Sequence, residues 1–400
     1  MLKILFLAPQ PFFEVRGTPL AVLAMVRALI ALGHRVDLLS YPRGADVDVP
    51  GLVHRRSLAL PVGQVRPGPS LAKMALDAPF MAEAWWRMLT GRYDVVHAVE
   101  EAAHLAAPMA RLLRLPLVVD VDSSIPDQLR QAGFAARGPL PWAAAALERH
   151  ALAHAAVVIT VCGSLTEGVR AQAPRARVFQ VEDPPLVDGT ASPEAEPVTA
   201  LRRSLGIGPG PVVLYSGNLE PYQGVELLLD AAAQVPEAWF VFMGGEPVEI
   251  AALQARAAAI GAAPRCVFTS KRPPSDLKGF LALADVLASP RIRGANTPFK
   301  LYTYLASGRP LVATRLPTHT QLLDDSMAFL VEPTAAGLAA GIRAALSDPA
   351  AATDRAARGR ALIEREYSLP RYTEKVARAY AEVEAAVGYN RRDGSLLPRP

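Results

Sequence analysis

The chain has 400 residues, a hydrophobic fraction of 51% and a formal net charge of +4. A chain of this length is too long to fold around a single hydrophobic core, so we expect two domains of ordinary size. The weak positive charge is not gathered into a basic stripe with aromatic platforms, so it gives no support for a nucleic-acid partner.

The two cysteines, Cys162 and Cys266, lie far apart and lack metal-ligand spacing, which predicts reduced thiols in a cytoplasmic protein. The apolar start MLKILFLAP is interrupted by proline too soon for a signal peptide. No stretch reaches the roughly 18 uncharged apolar residues of a spanning helix. The sequence therefore allows only a peripheral contact with the inner face of the cytoplasmic membrane.

The first half of the chain alternates short apolar runs with longer periodic segments. The predicted strands are LKILFLAP, RVDLLSY, YDVVHAV, PLVVDVDSS, VVITVC and RVFQVED, and the predicted helices are LAVLAMVRALIALG, SLAKMALDAPFMAEAWWRML, EEAAHLAAPMARLLRL, WAAAALERHALAHA and SLTEGVRAQA. Alternation of this kind predicts a doubly wound parallel sheet. In the second of these helices we expect Trp85 and Trp86 to pack on the core, with a membrane interface as the alternative.

The same alternation restarts after a polar, proline-containing segment at 187–200, which we interpret as a linker. The predicted strands that follow are PVVLYSG, WFVFMGG, CVFTS, ADVLASP, PLVAT and AFLVEP. The predicted boundaries are a first domain at 1–186, a second at 201–368, a terminal helix at 369–388 with the first domain as its candidate packing partner, and a flexible tail at 389–400. The predicted fold class is α/β, with two tandem Rossmann-like domains facing a cleft.

A basic loop between two buried strands of the second domain is the first candidate site. Thr297 and Pro298 resemble a helix start, with a hydroxyl cap and a proline at the first helical position. Arg291, Arg293 and Lys300 surround that start at the carboxyl end of the sheet, where an anionic group such as a nucleotide diphosphate would bind. The alternative is that these cations only solvate a surface loop.

Several motifs together resemble a known enzyme family. GTPLAVLAMVRALIALGHRV, YDVVHAVEEAAHLAAPMARLLRLP, YSGNLEPYQG and NTPFKLYTYLASGRPLVAT are similar, in this order, to segments of the GT-B glycosyltransferases of family 4. This resemblance implies a retaining enzyme whose first half holds a carbohydrate or lipid-linked acceptor and whose second half holds a nucleotide-sugar donor. It further implies a role in surface polysaccharide or glycolipid synthesis, with the nucleotide sugar as substrate and no separate cofactor.

The resemblance also assigns roles to individual residues. It places Asp122, Arg291 and Lys300 in catalysis, Glu100 and Glu101 at the acceptor, and the remaining candidates at the donor: Gly17, Thr18, Gly217, Asn218, Gln223, Gly224, Arg293, Asn296, Thr297, Leu301 and Thr303. Glu100 and Glu101 could instead be first-turn residues that the helix dipole favours. No metal is expected, although Asp120 and Asp122 have the spacing of a metal-binding DxD motif, because that motif belongs to a different architecture.

The chain departs from the family pattern at several of these positions. Asn218 stands where an arginine is common, Gln223 where a lysine is common, and Thr303 and Ala295 where paired glutamates occur. Asp122 stands at a histidine position. We hypothesise that Arg291, Arg293 and Lys300 replace the lost charge. These departures leave two alternative functions open. The chain could be a catalytically impaired homologue that binds a nucleotide sugar and acts as a partner subunit, or a nucleotide-sugar epimerase. His97 and His319 are expected to be hydrogen-bonded structural residues.

Overall fold

The computed structural model describes residues 1–14, 17–61, 71–123, 139–187 and 195–392. The chain forms two compact units. The first takes in Met1–Glu14, Thr18–Glu182 and the C-terminal segment that begins at Tyr372, and the second takes in Gly17 and Asp183–Arg371. Each is built on a parallel sheet with helices, which confirms the predicted α/β class with two Rossmann-like domains.

The first unit contains a seven-stranded parallel sheet. Its strands are β1 (Lys3–Ala8), β2 (Arg35–Ser40), β3 (Leu52–Arg56), β4 (Val95–Val99), β5 (Leu117–Val121), β6 (Val157–Thr160) and β7 (Val178–Gln180). They lie in the order β3-β2-β1-β4-β5-β6-β7. The central strands are continuous apolar runs because helices cover both faces of the sheet.

Among the described residues, five helices connect these strands and a sixth returns from the end of the chain. They are α1 (Gly17–Ala31), α2 (Leu71–Thr90), α3 (Glu101–Leu112), α4 (Pro139–His154), α5 (Gly163–Gln172) and α14 (Leu369–Arg392). Helix α14 adds Tyr372, Val376, Tyr380 and Val383 to the core beside β1 and α1. The hydroxyl of Tyr380 lies 2.8 Å from Nδ1 of the buried His97 in β4.

The second unit contains a six-stranded parallel sheet in the order β10-β9-β8-β11-β12-β13. Its strands are β8 (Val212–Ser216), β9 (Trp239–Met243), β10 (Cys266–Thr269), β11 (Val286–Ser289), β12 (Leu311–Thr314) and β13 (Phe329–Val331). Its helices are α6 (Ala195–Ser204), α7 (Val225–Ala232), α8 (Pro247–Ala259), α9 (Leu277–Leu283), α10 (Lys300–Ala306), α11 (Pro317–Thr320), α12 (Ala335–Ser347) and α13 (Pro349–Leu362).

Three elements were absent from the sequence-based prediction: strand β3, helix α6 and the four-residue helix α11. Strand β3 pairs in parallel with β2 at the edge of the first sheet, and its mixed sequence LVHRR carries only a weak strand signal. Helix α6 begins at Ala195 inside the segment interpreted as linker, and residues 188–194 of that segment lie outside the described ranges.

The prediction for Trp85 and Trp86 was wrong, because their side chains are 39% and 65% exposed. The core side of α2 is formed by Leu76, Phe80, Met81, Ala84 and Met88. These residues occupy the inward positions of the helical repeat and leave both tryptophans on the opposite side. Among the described helices, none is both long enough and apolar enough to cross a bilayer.

Candidate functional site

The switch point of the second sheet lies between β8 and β11, where the chain connections leave in opposite directions. Ligands of doubly wound sheets bind at the carboxyl ends of the strands at such a point. Here the loop after β8 and the loop after β11 are in contact. Gly224 has φ +69°, and a Cβ atom on it would overlap the carbonyl of Pro290. Only glycine therefore allows the two loops to approach this closely.

Lys300 is the first residue of α10, and its ammonium group lies beneath the loop that follows β8. Its Nζ atom is 3.9 Å from the centroid of the Tyr215 ring and 3.4 Å from Oε1 of Gln223. Gly217, with φ +142°, leaves room for it, because a Cβ atom there would lie 2.7 Å from Nζ. Gly217, Gln223 and Lys300 are thus brought together at the carboxyl end of β8.

The electrostatic setting of Lys300 favours an anionic ligand. Burial, reinforced by the positive charge of Arg291, holds the pKa of the Lys300 ammonium well below its ordinary value. No ion pair joins Lys300 to any carboxylate of the described residues. A partly buried cation without a counter-charge is unfavourable, and a phosphate group brought by a ligand would supply that charge.

Arg291 is buried, and its hydrogen bonds stabilise the loop to which it belongs. Its guanidinium donates hydrogen bonds to the main-chain oxygen of Asn296 at 3.0 Å, to Oδ1 of Asn296 at 3.0 Å and to Oγ1 of Thr318 at 3.1 Å. It also lies over the ring of Tyr222, 5.1 Å from the centroid. Arg293, two residues later, is exposed. The three cations predicted to act together therefore occupy different environments.

The predicted helix start at Thr297 and Pro298 was wrong, because α10 begins at Lys300 with Phe299 as its N-cap. Residues 297–299 form a turn in which Leu301 N–H bonds to the carbonyl of Pro298 at 3.0 Å. The side chain of Thr297 is buried rather than capping a helix. The Thr318 hydroxyl fixes this turn from outside by donating to the main-chain oxygen of Asn296 at 2.6 Å.

The remaining donor candidates on α10 face inward. Leu301 is fully buried in the core, and Thr303 is 1% exposed. The Thr303 hydroxyl accepts a hydrogen bond from the main-chain N–H of Leu186 at 3.0 Å. Asn218 lies in the loop after β8, where its main-chain oxygen accepts from the Tyr215 hydroxyl at 2.5 Å.

Polar residues at the ends of the second-unit strands support these loops. The sequence analysis selected His319 among them as a structural residue, but not Ser289 or Thr314. His319 Nε2 lies 2.9 Å from Ser289 Oγ, and its Nδ1 lies 2.7 Å from the carbonyl oxygen of Thr314. The Thr314 hydroxyl donates to the carbonyl of Arg291 at 2.5 Å. Burial lowers the pKa of His319 to about 4, so it is a neutral, hydrogen-bonded residue, as predicted. A usable signal was that Ser289 and Thr314 each end an apolar run.

In the first unit, Glu100 and Glu101 follow β4 but have different surroundings. Glu100 has the unusual backbone angles φ 50° and ψ −129°, and its carboxylate accepts from Ser123 Oγ at 2.7 Å. Glu101 forms an ion pair with Lys73 at 2.5 Å, with only 15% of its side chain exposed. Burial raises the pKa of Glu101 to about 7, with Glu100 and Asp77 adding to the rise and Lys73 opposing it. Ser123 brings Glu100 to the end of β5, beside Asp122.

Asp122, Gly17 and Thr18 lie where the sequence predicted them along the chain. Asp122 is buried immediately after β5, and Gly17 and Thr18 begin α1. Asp120, the first aspartate of the DxD spacing, has its Oδ2 atom 3.1 Å from Nε2 of His97 inside the core. Within the described ranges, no group of three or more His, Cys, Asp and Glu side chains is arranged to hold a metal ion.

Two family models match the chain and together cover most of it. Residues 16–184 match the glycosyl transferase 4-like domain, and residues 210–348 match the glycosyl transferases group 1. A GDP-mannose-dependent alpha-(1-6)-phosphatidylinositol monomannoside mannosyltransferase of Mycolicibacterium smegmatis is 34% identical over 143 residues, which are 33% of this chain and 37% of that protein.

Two longer matches extend the comparison. The phosphatidyl-myo-inositol mannosyltransferase of Mycobacterium leprae is 25% identical over 87% of this chain and 86% of its own length. The alpha-D-kanosaminyltransferase of Streptomyces kanamyceticus is 27% identical over 69% of this chain and 72% of its own length.

Solved structures show the same fold at low sequence identity. A sucrose-phosphate synthase from Thermosynechococcus elongatus superposes with a TM-score of 0.80 at 19% identity, covering 96% of this chain and 100% of that one. HepE of Anabaena in complex with UDP and glucose gives a TM-score of 0.75 at 19% identity, covering 95% of this chain and 100% of that one.

Proposed function

Because the chain belongs to the group 1 glycosyltransferases of the GT-B architecture, family 4, we propose that it moves a sugar from a nucleotide-sugar donor to a lipid-linked or carbohydrate acceptor. The transfer proceeds with retention at the anomeric carbon and serves surface polysaccharide or glycolipid synthesis. Two of its relatives are named as mannosyltransferases that act on phosphatidylinositol compounds, which favours a lipid-linked acceptor.

The placement of Lys300 is the observation that carries this proposal. Its ammonium lies beneath Gly217 and beside Gln223 at the switch point of the second sheet, without a described carboxylate partner. A donor diphosphate bound there would supply the missing counter-charge. The same contact would stabilise the negative charge that grows on the diphosphate as it leaves, which lowers the barrier to transfer.

The other donor candidates take supporting roles in this proposal. Arg291 holds the loop through Asn296 and Thr318 and adds long-range positive potential, while exposed Arg293 remains available to the ligand. Gly217, Asn218 and Gly224 shape the loop that approaches the diphosphate. Thr297 and Leu301 fix the start of α10, and Thr303 supports the segment at Leu186.

The acceptor binds to the first unit, at the carboxyl ends of β4 and β5. Glu100 and Asp122 are the carboxylates that we assign to acceptor hydroxyl groups, because both follow strand ends there. Glu101 is assigned a supporting role, since Lys73 already neutralises its carboxylate. Gly17 and Thr18 start α1 at the end of the neighbouring β1, where main-chain N–H groups are available to a ligand.

The reaction forms one bond, breaks one bond and transfers one proton. The acceptor hydroxyl oxygen bonds to the anomeric carbon, the bond from that carbon to the diphosphate oxygen breaks, and the hydroxyl proton passes to the departing diphosphate. Attack on the face that the leaving group vacates preserves the anomeric configuration. We propose that the transfer is metal-independent. The contact between Asp120 and His97 supports this, because it occupies one of the two carboxylates of the DxD spacing.

The test is donor binding followed by turnover. Thermal unfolding of the full chain is measured with UDP-, GDP-, ADP- and dTDP-sugars, because a donor at one hundred times its Kd adds about 2.7 kcal/mol to the free energy of unfolding. Release of nucleoside diphosphate is then measured with the stabilising donor and a lipid-linked acceptor. The expected result is release that Lys300→Met abolishes and that Lys271→Met, a change at an exposed lysine, leaves intact. Stabilisation by none of the four donors would contradict the proposal.

A catalytically impaired homologue is the second candidate, and specific positions favour it. Asn218 and Gln223 are neutral where charged residues are common in the family, and buried Thr303 cannot extend a carboxylate toward a donor. Such a protein would be stabilised by a nucleotide sugar yet release no nucleoside diphosphate with any acceptor. The two measurements above therefore separate the candidates.

A further inference from the structure

A small cavity lies inside the first unit, between β5 and the helices α3 and α4. Its volume is about 10 Å³, which is close to the room that one water molecule needs. The polar residues that line it are Glu100, His104, Asp120, Ser123 and Glu148. A polar cavity of this size is suited to one buried water molecule and is too small for a substrate.

Among the described side chains that line this cavity, His104 is the one without a hydrogen-bond partner. The residue is only 8% exposed, and within the described parts of the chain neither of its ring nitrogens makes a hydrogen bond. Burial lowers the pKa of His104 to about 4, so near neutral pH the ring is uncharged and offers one N–H donor and one acceptor nitrogen. Leaving such a buried group without a hydrogen bond is unfavourable, and the cavity beside the ring is where a partner could bind.

The carboxylates that line the cavity each accept a hydrogen bond from another side chain. The pairs of donor and carboxylate are Ser123 with Glu100 at 2.7 Å, His97 with Asp120 at 3.1 Å, and Gln172 with Glu148 at 3.0 Å. A carboxylate has about four lone-pair positions, so each of these groups can accept another hydrogen bond. Within the described ranges, no group of His, Cys, Asp and Glu side chains is arranged to hold a metal ion. The lining therefore suits water better than a metal ion.

Glu100 is the carboxylate of this group that we assign to the acceptor, and its main chain is strained. Its φ of 50° and ψ of −129° are uncommon for a residue with a side chain, and such strain persists only where several contacts hold it. The N–H of Glu100 donates to the main-chain oxygen of Asp120 at 2.9 Å, and Ser123 holds its carboxylate. His104 lies four residues later, on the same side of α3, so it is placed to add a further contact.

We propose that His104 is a positioning residue for acceptor binding, and that it acts through one water molecule bound in this cavity. The water accepts a hydrogen bond from His104 and donates to Glu100 and Asp120. These bonds hold the Glu100 carboxylate in the orientation that meets an acceptor hydroxyl group. The proposal rests on the proposed function for the role of Glu100, but the water and its hold on Glu100 belong to the free chain.

One wall of the cavity is fixed from the core, because Asp120 ends a line of buried polar groups. The hydroxyl of Tyr380 lies 2.8 Å from Nδ1 of His97, and Nε2 of His97 lies 3.1 Å from Oδ2 of Asp120. The ring of Phe6 stacks on the ring of His97, with centroids 4.2 Å apart. The water thus lies between a carboxylate that the core holds in place and the side chain of Glu100, and it links the two.

The first test needs no substrate. Crystal structures of the full chain and of His104→Leu are determined at a resolution that shows ordered water. In the parent chain we expect one water molecule within about 3.2 Å of His104, Glu100 and Asp120. In His104→Leu we expect this water to be lost and the Glu100 side chain to move away from Ser123. A parent cavity that holds a metal ion or nothing, or a variant in which Glu100 keeps its place, would overturn the proposal.

The second test measures transfer from the donor that stabilises the chain, with phosphatidylinositol in detergent micelles as the acceptor probe. His104→Leu should raise the KM for the acceptor at least about five-fold, the equivalent of one lost hydrogen bond. The kcat and the KM for the donor should stay within about two-fold, because no reacting group is removed. His154→Leu, the same change at an exposed histidine of α4, is the matched control and should alter none of these values.

Two conservative variants separate positioning from packing. His104→Gln and His104→Asn carry an amide that both donates and accepts, at about the reach of Nε2 and of Nδ1 respectively. One of them should return the acceptor KM to within about two-fold of the parent value, which identifies the ring nitrogen that binds the water.

Two kinetic results would overturn the proposal. One is an unchanged acceptor KM in His104→Leu. The other is a rise in KM that neither amide variant reverses, with thermal unfolding showing that all three variants are folded, because packing alone would then explain the rise. If the parent chain transfers no sugar, the proposed function fails, and the two crystal structures still decide whether His104 and a water molecule hold Glu100.

Discussion

The Nζ atom of Lys300 lies 3.4 Å from Oε1 of Gln223, the residue that replaces a lysine common in the family. A lysine at position 223 would place a second ammonium group against the first. The neutral side chain therefore lets one cation, rather than two, occupy the space below Gly217. The charge lost at position 223 is matched by Lys300, a partly buried lysine whose pKa is held low.

Donor affinity should depend on pH through Lys300. In the ligand-free chain the lowered pKa leaves this lysine more readily neutral, and a bound diphosphate would raise its pKa by favouring the ammonium form. Binding therefore takes up a proton, and affinity falls as pH rises from the lowered pKa toward the ordinary lysine value of about 10.4. Calorimetry of nucleoside diphosphate binding in buffers of different ionisation enthalpy measures this uptake.

Lys300→Met is the control for that experiment. It should remove the proton uptake and weaken binding at least about ten-fold, because a charge-assisted hydrogen bond to phosphate is lost. Uptake that persists in this variant would assign the titration to another group.

Gln223→Lys should destabilise the ligand-free chain and strengthen diphosphate binding. Two ammonium groups in contact are expected to lower the free energy of unfolding by about 1 to 2 kcal/mol, while a bound diphosphate would neutralise both. Thermal unfolding with and without nucleoside diphosphate measures both effects. A smaller ligand-induced increase in Tm than in the parent chain would contradict the assignment of this contact to the diphosphate.

Gly217→Ala should lower donor affinity by more than its effect on the free energy of unfolding would explain. The added Cβ would lie 2.7 Å from Nζ of Lys300 and must displace it, and φ +142° adds backbone strain. Gly206→Ala is the comparison, because Gly206 has φ +68° but open space around it, so it should cost only about 1 kcal/mol of stability. Binding titrations of both variants separate the two effects, and equal loss of affinity would count against the close approach.

Lys73→Met should destabilise the first unit by about 3 kcal/mol near neutral pH, because it leaves the Glu101 carboxylate buried without its partner. Glu101 already has a folded pKa of about 7, raised from 4.5, so the stability it contributes is full below about pH 4.5 and is lost as pH rises through 7. Loss of Lys73 should raise that pKa further and make the defect larger at pH 8 than at pH 5.

Adding Glu101→Gln to Lys73→Met should recover part of the loss, since no unpaired charge of this ion pair then remains. Urea unfolding of the single and double variants at both pH values is the measurement. A defect that does not change with pH would show that packing, and not the unpaired buried charge of Glu101, dominates.

Thr303→Val should lower the free energy of unfolding by about 1 to 3 kcal/mol, because the partly buried N–H of Leu186 would lose its acceptor. Thr303→Ser keeps the hydroxyl and should cost less. Donor affinity measured on the folded variants tests the supporting role, which requires Thr303→Ser to bind donor as the parent chain does.

Much of the architecture could be predicted because it depends on local patterns. Continuous apolar runs separated by periodic helices indicate a doubly wound sheet, and strand ends followed by glycine or charge indicate the loops at its carboxyl edge. Lys300 was selected as a candidate in this way, and the structure places it at the first residue of α10. Strand β3 was missed because an edge strand with two arginines has little apolar signal.

The direction of individual side chains could not be predicted, because it depends on residues distant in the chain. Arg291 turns into its own loop because Thr318, 27 residues later, offers a hydroxyl there. Thr303 faces Leu186, which lies 117 residues earlier. In α2, two sides of the helix are apolar, and only the packed structure shows that Phe80 is buried while Trp86 is not.

The hydrogen bond between His97 and Tyr380 joins residues 283 positions apart, so it can form only after nearly the whole chain has been synthesised. At translation rates of about 5 to 20 residues per second, the ribosome needs roughly 15 to 60 s to reach Tyr380 after it has made His97. Throughout that interval the nascent first sheet lacks its last covering helix and keeps an apolar flank uncovered. A stop codon just before Tyr372 would therefore leave the hydrophobic core of the first unit incomplete, although that unit is synthesised first.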